Sequence, residues 1–126
     1  MEKLITFAVP CYNSAEYMRH CIDTLLTAGE EAQIVLVDDG STKDNTAEIA
    51  DEYAAKYPSI VEVVHKENGG HGSGVNTGIA RAKGLYYKVV DSDDWLNPKE
   101  LSVFMERVRK DVAAGKQIDL YLANFV

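Results

Sequence analysis

The sequence contains no stretch of about 18 consecutive apolar residues, the minimum for a membrane-spanning helix. Its first apolar run follows Met-Glu-Lys and stops at Pro10, so we expect no secretory signal peptide. These absences lead us to expect a cytoplasmic protein without a membrane span in this chain. The parent protein can still associate with the inner face of the membrane through other segments.

Basic residues are also scarce, because 13 lysines and arginines stand against 20 aspartates and glutamates, a formal net charge of −7. Nucleic-acid polymers and anionic membranes both require a basic surface on their protein partner. The charge therefore argues against either partner. A small anion can still bind to an acidic protein where a metal ion bridges the two.

Cysteines number only two, Cys11 and Cys21, and they form no C-x-x-C pair and no cluster with histidine. This spacing argues against zinc and redox sites. Both lie in apolar stretches, so we expect buried, reduced thiols. Internal repeats, linkers and low-complexity segments are absent as well. The 126 residues therefore fit a single domain.

Short apolar segments alternate with amphipathic ones along the chain, which predicts strands alternating with helices. The predicted strands are residues 4–9, 34–37, 60–64, 85–90 and 118–126. The predicted helices begin near Asn13, Asp44 or Asn45, Val75 and Pro98, and end before Gly29, Pro58, Gly84 and Gly115. We expect Asn13 to cap the first of them. This order predicts an α/β fold with a mostly parallel sheet covered by helices on both faces.

Polar clusters directly follow three of the predicted strands. They are Pro-Cys-Tyr-Asn at 10–13, Asp-Asp-Gly-Ser-Thr at 38–42 and Asp-Ser-Asp-Asp at 91–94. Ligands of such sheets bind at the carboxyl ends of the strands. We therefore expect all three clusters to share one edge of the sheet and to form a site there.

The D-x-D sequence of Asp91 to Asp93 is consistent with two structures when taken alone. Aspartates can bond the local backbone of a turn, or their carboxylates can hold a hard divalent cation that keeps positions open for a phosphate. The position after an apolar strand and beside a second acidic cluster favours the metal site. Trp95 follows directly, and we expect it mainly in the core with one edge exposed.

Four of the six residues at positions 69–74, directly after Asn68, are glycines. The segment matches neither a phosphate-binding P-loop nor a dinucleotide-binding fingerprint. Its glycines indicate a sharp turn or a close approach of the backbone to a ligand. His71 within it is the histidine of most interest, whereas we expect His20 and His65 to be structural or solvated.

Taken together, these motifs resemble the N-terminal portion of family 2 glycosyltransferases with the GT-A fold. The resemblance rests on an ordered set of segments: Val9 to Asn13, Ile34 to Thr42, Asn68 to Gly70, Asn76 to Ala80, Ala82 to Gly84, and Asp91 to Asp94. It implies a Rossmann-like nucleotide-sugar-binding domain that occupies residues 1–126, with the acceptor half missing.

The resemblance also implies the ligands. The donor is a nucleotide-diphosphate sugar, with a UDP-sugar as the first expectation, and the acceptor is a saccharide or another hydroxyl compound. Mn²⁺ or Mg²⁺ bridges the diphosphate, with Asp93 as its ligand and Asp91 near both ribose and metal. The implied donor site comprises Pro10, Tyr12, Asn13, Asp38 or Asp39, Gly70, Asp91 and Ser92.

The sequence departs from the family pattern in two respects. Val75 stands where many relatives carry an arginine, which removes an expected cationic contact to the nucleotide. The general base for inverting transfer to a hydroxyl is expected beyond Val126. We therefore expect this chain to bind the donor without completing transfer.

Two alternatives remain open at this point. One is a phosphotransfer or receiver-like domain, in which an aspartate at a strand end accepts a phosphoryl group. That chemistry needs an aspartate after the first strand or a lysine near the last one. Pro10 to Tyr12 supply no aspartate, and no lysine follows the last strand. The other is a non-catalytic interaction domain on the same fold, since fold does not fix function.

Overall fold

The computed structural model describes residues 3–41 and 43–113. Four strands form one sheet in the order β3-β2-β1-β4, and every pairing is parallel. The strands are β1 (Ile5–Cys11), β2 (Ala32–Asp39), β3 (Val61–Lys66) and β4 (Tyr86–Val89). This confirms the predicted α/β architecture, while the fifth predicted strand, residues 118–126, lies outside the described residues.

The strand order reverses at β1, because the chain first winds outward to β3 and then returns to pair β4 on the other side. A crevice opens at such a reversal, beyond the carboxyl ends of the strands. Four α-helices connect and follow the strands: α1 (Met18–Leu26), α2 (Thr46–Lys56), α3 (His71–Arg81) and α4 (Pro98–Ala113). In the described residues, no helix combines the length and apolarity needed to span a membrane.

Apolar side chains of β1 and β2 form the centre of the core. Phe7, Val9, Ile34 and Leu36 are completely buried, as expected for central strands covered on both faces. Helices α1, α2 and α4 contribute apolar side chains to the same core. The rigid sheet therefore fixes the positions of the loops that leave its carboxyl edge.

Helix α1 begins differently from the prediction. Asn13 does not cap it, because Asn13 adopts a left-handed backbone with φ 48° and its Oδ1 accepts a hydrogen bond from the Lys43 backbone N–H. The carbonyl of Ser14 instead accepts the N–H groups of Tyr17 and Met18. The predicted Asn13 cap is therefore wrong, and this asparagine joins two loops at the sheet edge.

Helix α3 begins at His71, four residues before the predicted start at Val75. Its buried side is made of glycines: a Cβ on Gly78 would lie 2.6 Å from the Ala8 Cβ, and one on Gly74 would lie 3.1 Å from the Pro10 Cβ. Ile79 of the same helix is 54% exposed. Gly74, one of the four glycines at positions 69–74, and Gly78 therefore allow close packing of α3 on β1.

Trp95 is 47% exposed, so its predicted core position is wrong. Its ring packs on His20 with 4.9 Å between ring centroids. The apolar neighbours Val90 and Leu96 enter the core instead. They anchor both ends of the intervening segment, which leaves the acidic residues between them at the surface.

Candidate functional site

A cleft of about 560 Å³ opens at the carboxyl edge of the sheet. The loop after β1 contributes Pro10, Tyr12 and Asn13 to it, and the glycine segment contributes Gly70. The two acidic clusters contribute Asp39, Asp91, Ser92 and Asp93. The structure therefore brings together residues from all three strand-end clusters, as the parallel sheet predicted.

Two neighbouring aspartates at the end of β2 point to different surroundings, because successive side chains alternate across a strand. Asp38 does not line the cleft: its Oδ2 lies 2.9 Å from Nδ1 of His65, and its Oδ1 accepts the Ser41 N–H at 3.0 Å. Asp39 lines the cleft. Of the two residues left open by the sequence, Asp39 is the one that a ligand in the cleft can reach.

The Asp39 carboxylate holds the glycine segment in place. Its Oδ1 accepts hydrogen bonds of 2.8 Å from Lys66 Nζ and from the Gly69 N–H, and its Oδ2 accepts the Gly70 N–H at 2.9 Å. Burial by itself raises the pKa of Asp39, but these donors outweigh it and lower the pKa below its ordinary value. The carboxylate is therefore ionised at neutral pH.

Gly40 allows this arrangement, because its φ of 73° is unfavourable for other residues and a Cβ there would lie 2.8 Å from the Asn68 backbone nitrogen. Asn68 also donates from its side chain to the Asp39 carbonyl at 3.2 Å. The end of β2 and the glycine segment thus form one packed unit beside the cleft.

The segment Asp91–Asp94, here called the acidic loop, presents a group of carboxylates. Asp91, Asp93 and Asp94 each offer one oxygen, and these oxygens lie within 4.8 Å of one another at the surface. The Asp94 N–H donates to the Asp91 carbonyl at 2.9 Å, which closes a turn. Asp94 belongs to this group although the sequence favoured only Asp91 and Asp93.

Hard carboxylate oxygens are the ligands that Mg²⁺ and Mn²⁺ prefer, and they suit zinc or copper less well. The donor set of the acidic loop therefore fits the cation expected from the sequence. Among the described residues that line the cleft, three are aspartates and none is lysine, arginine or histidine. A bound cation would favour the binding of an anionic ligand at such a site.

Both cysteines are buried and unbonded to each other, as expected. Cys11 lines the cleft, yet burial raises the pKa of its thiol far above the ordinary range. Burial, and then the nearby carboxylates of the acidic loop, raise the pKa of Cys21 to about 12. Thiols that stay protonated are poor nucleophiles and poor metal ligands. The groups of the site that can bind a ligand or a metal are therefore its oxygen and nitrogen atoms.

Histidines contribute to the frame of the site. His65 bridges two carboxylates, with Nδ1 2.9 Å from Asp38 Oδ2 and Nε2 2.7 Å from Asp51 Oδ1. His20 packs on Trp95. Both have structural contacts, in agreement with the expectation. The side chain of His71 lies outside the described part of the structure.

Sequence reasoning missed Ser14, Tyr17 and Asn68, which also line the cleft. Ser14 directly follows the Pro-Cys-Tyr-Asn cluster, so extending that cluster by one residue would have included it. Asn68 opens the glycine segment, and its position there gives no sign of a role in the cleft. Tyr17 immediately precedes α1 and is half-exposed, and its place in the cleft could be recognised only from the path of the loop.

Comparison with known proteins gives a consistent result. The family model described as "Glycosyl transferase family 2" matches residues 6–123. The glycosyltransferase GlyG of Streptococcus pneumoniae is 36% identical over 127 residues, which cover 99% of this chain and 40% of GlyG. S. aureus TarS 1-349 in complex with UDP-GlcNAc superposes with a TM-score of 0.73 at 28% identity, over 86% of this chain and 32% of that one.

The mannosyltransferase PcManGT from Pyrobaculum calidifontis, in complex with GDP-Man and Mn²⁺, superposes with a TM-score of 0.71. Its identity is 24%, over 81% of this chain and 31% of that one, so this likeness concerns the fold alone. The chain spans two fifths or less of the length of each of these three proteins.

Proposed function

Because the chain belongs to glycosyl transferase family 2 and has the GT-A fold, we propose that its cleft binds a nucleotide-diphosphate sugar together with a divalent cation. UDP is the favoured nucleotide, since TarS, which shares 28% identity, was solved with UDP-GlcNAc. The parent enzyme then transfers the sugar to a hydroxyl of a saccharide or another acceptor, with inversion at the sugar carbon.

The observation that carries this proposal is the group of carboxylates at the mouth of the cleft. Three carboxylate oxygens lie within 4.8 Å of one another and repel each other. A diphosphate brings further negative charge to the same place. Mn²⁺ or Mg²⁺ relieves both repulsions at once, because it binds carboxylate and phosphate oxygens together.

The residues of the cleft take separate roles in the proposal. Pro10, Tyr12 and Asn13 form the wall beside the nucleoside base, with the Tyr12 ring half-exposed and accessible to it. Asp39 is ionised and accepts hydrogen bonds from base N–H or ribose hydroxyl groups. Gly70 approaches the ligand with its backbone.

The acidic loop serves the diphosphate end of the donor. Asp93 and Asp91 hold the cation, and Asp91 and Ser92 also face the ribose. When bound, the cation acts as a Lewis acid that stabilises negative charge on the departing nucleoside diphosphate. The general base that deprotonates the acceptor hydroxyl is not among the residues assigned here.

Thermal unfolding tests the proposal, because a ligand that binds only the native state raises Tm. We expect UDP with Mn²⁺ to raise Tm more than UDP with EDTA or Mn²⁺ alone. Asp93→Asn removes the extra rise, whereas Glu48→Gln, an exposed acidic site on α2, keeps it. An undiminished rise in Asp93→Asn, or no rise in the wild type with UDP or GDP and either cation, contradicts the proposal.

A further inference from the structure

A hydrogen bond between two buried hydroxyl groups joins the two sides of the cleft. Ser92 Oγ lies 2.7 Å from Ser14 Oγ, although the residues are 78 positions apart in the chain. Ser14 belongs to the loop that carries Tyr12 and Asn13, and Ser92 belongs to the acidic loop. The bond therefore connects the wall assigned to the nucleoside with the carboxylates assigned to the cation.

Ser14 has no hydrogen-bonding capacity left for a ligand. Its Oγ accepts the Tyr12 N–H at 3.0 Å and the Ser92 hydroxyl, and it donates to the Tyr12 carbonyl at 3.2 Å. A hydroxyl has one proton and two lone pairs, so all three are used. Its backbone N–H donates to Thr46 Oγ1 at 2.7 Å, which ties the same loop to α2.

The direction of the bond follows from this saturation. Since the Ser14 proton goes to the Tyr12 carbonyl, Ser92 is the donor in the hydroxyl pair. Towards the cleft, the Ser92 oxygen then offers only lone pairs, which cannot donate to a phosphate. Both side chains are at least nine-tenths buried, where water competes poorly for the bond.

We propose that Ser14 and Ser92 are positioning residues that set the separation between the nucleoside wall and the acidic loop. The inference rests on the proposed function and extends it to residues that act through others. A nucleoside diphosphate has a limited reach from base to phosphates, so it contacts both sides only when the loops are correctly spaced. Loss of the bond frees the acidic loop and weakens the cation-dependent part of binding.

The test compares nucleotide binding with and without the cation by isothermal titration calorimetry on the 126-residue chain. The probe is UDP or GDP, whichever the wild type binds more tightly. The measured quantity is the ratio of Kd in EDTA to Kd in Mn²⁺. In Ser92→Ala we expect this ratio to fall about three- to tenfold, the effect of one net hydrogen bond, because Kd in Mn²⁺ rises more than Kd in EDTA does.

Four further variants separate positioning from general loosening. Ser92→Thr keeps a hydroxyl and restores the ratio. Ser102→Ala, at an exposed serine of α4, leaves it unchanged. The double variant Ser14→Ala/Ser92→Ala lowers the ratio no further than Ser14→Ala, because both remove the same bond. If Ser14→Ala does not fold, the Ser92 variants carry the test, since Ser14 then keeps both of its bonds to Tyr12.

Two results overturn the inference while the proposed function stands: an unchanged ratio in Ser92→Ala, or an equal loss of affinity in EDTA and in Mn²⁺. A wild type that binds neither nucleotide, or binds without any gain from Mn²⁺, overturns both proposals. The wild-type measurement therefore distinguishes failure of the function from failure of the positioning role.

Discussion

Lys66 Nζ donates a hydrogen bond of 2.8 Å to Asp39 Oδ1, so a cation stands directly behind the carboxylate that faces the cleft. This pair is locally neutral, and Asp39 is suited to accept hydrogen bonds from neutral groups. The acidic loop, in contrast, groups three carboxylates within 4.8 Å of one another. The two acidic clusters of the sequence therefore have different electrostatic character and, in our proposal, different ligands.

Asp39→Asn tests the link between this carboxylate and the glycine segment. The amide cannot accept all three hydrogen bonds at this buried position, so the donors from Lys66 and Gly70 become poorly satisfied. We expect a loss of about 1 to 3 kcal/mol in the free energy of unfolding, measured by urea denaturation. Glu48→Gln at an exposed site of α2 is the control and should change it by less than about 0.5 kcal/mol.

The same carboxylate predicts an acid dependence. The pKa of Asp39 is lowered in the folded state, so its contribution to stability is present above its ordinary pKa and is lost as pH falls through the folded value. The stability difference between wild type and Asp39→Asn should therefore shrink on acidification. A difference that is constant from neutral to acid pH contradicts an ionised, bonded Asp39.

His65 predicts a dependence of opposite sign. Hydrogen bonds to Asp38 and then Asp51 raise the pKa of His65 above its ordinary value, against a smaller opposing effect of burial. Its contribution is fully present below the ordinary pKa and is lost as pH rises through the folded value. Urea denaturation should show His65→Asn to be more destabilising near pH 5.5 than near pH 8.5, conditions on either side of the ordinary pKa of about 6.5.

Asp51→Asn provides the matched comparison for His65, because it removes one of the two acceptors and leaves the imidazole in place. We expect its pH dependence to be weaker than that of the wild type. If titration of the His65 ring by NMR gives an ordinary pKa, the bridge between Asp38 and Asp51 does not hold in solution.

Helix α3 offers an internal pair of glycines for a packing test. A methyl group on Gly78 would lie 2.6 Å from the Ala8 Cβ, whereas one on Gly72 has nothing within 4 Å. Gly78→Ala should therefore destabilise the fold by about 1 to 3 kcal/mol. Gly72→Ala should be neutral or stabilising by up to about 1 kcal/mol, because alanine favours helix more than glycine does. Equal effects at the two sites would contradict close packing of α3 on β1.

The acidic loop predicts opposite effects of one substitution with and without metal. In EDTA, Asp93→Asn relieves repulsion between exposed carboxylates and should raise Tm slightly, an effect of about 0.5 kcal/mol or less. With Mn²⁺ and nucleotide, the same variant should be less stable than wild type, because it has lost a ligand to the cation. Scanning calorimetry in the two buffers should therefore show Asp93→Asn with a higher Tm than wild type in EDTA, and with a lower Tm than wild type in Mn²⁺ and nucleotide.

Much of the architecture followed from local patterns. The buried strands β1 and β2 and the helix start at Asn97-Pro98 were recognisable, and Asn97 Oδ1 indeed accepts the N–H groups of Lys99 and Glu100. Predictions failed where tertiary contacts overrode them. Asn13 binds the backbone of Lys43 instead of capping a helix, and Trp95 is half-exposed while its neighbour Leu96 is buried.

The sequence by itself determined that strands alternate with helices and that three polar clusters share one edge, because parallel strands all direct their carboxyl ends the same way. Only the tertiary structure decided which carboxylate enters the cleft. Asp38 and Asp39 point to opposite faces of β2. His65 contacts the Asp38 carboxylate on one face, and the glycine segment donates to the Asp39 carboxylate on the other. The Ser14–Ser92 bond likewise spans 78 positions, a contact that no local pattern encodes.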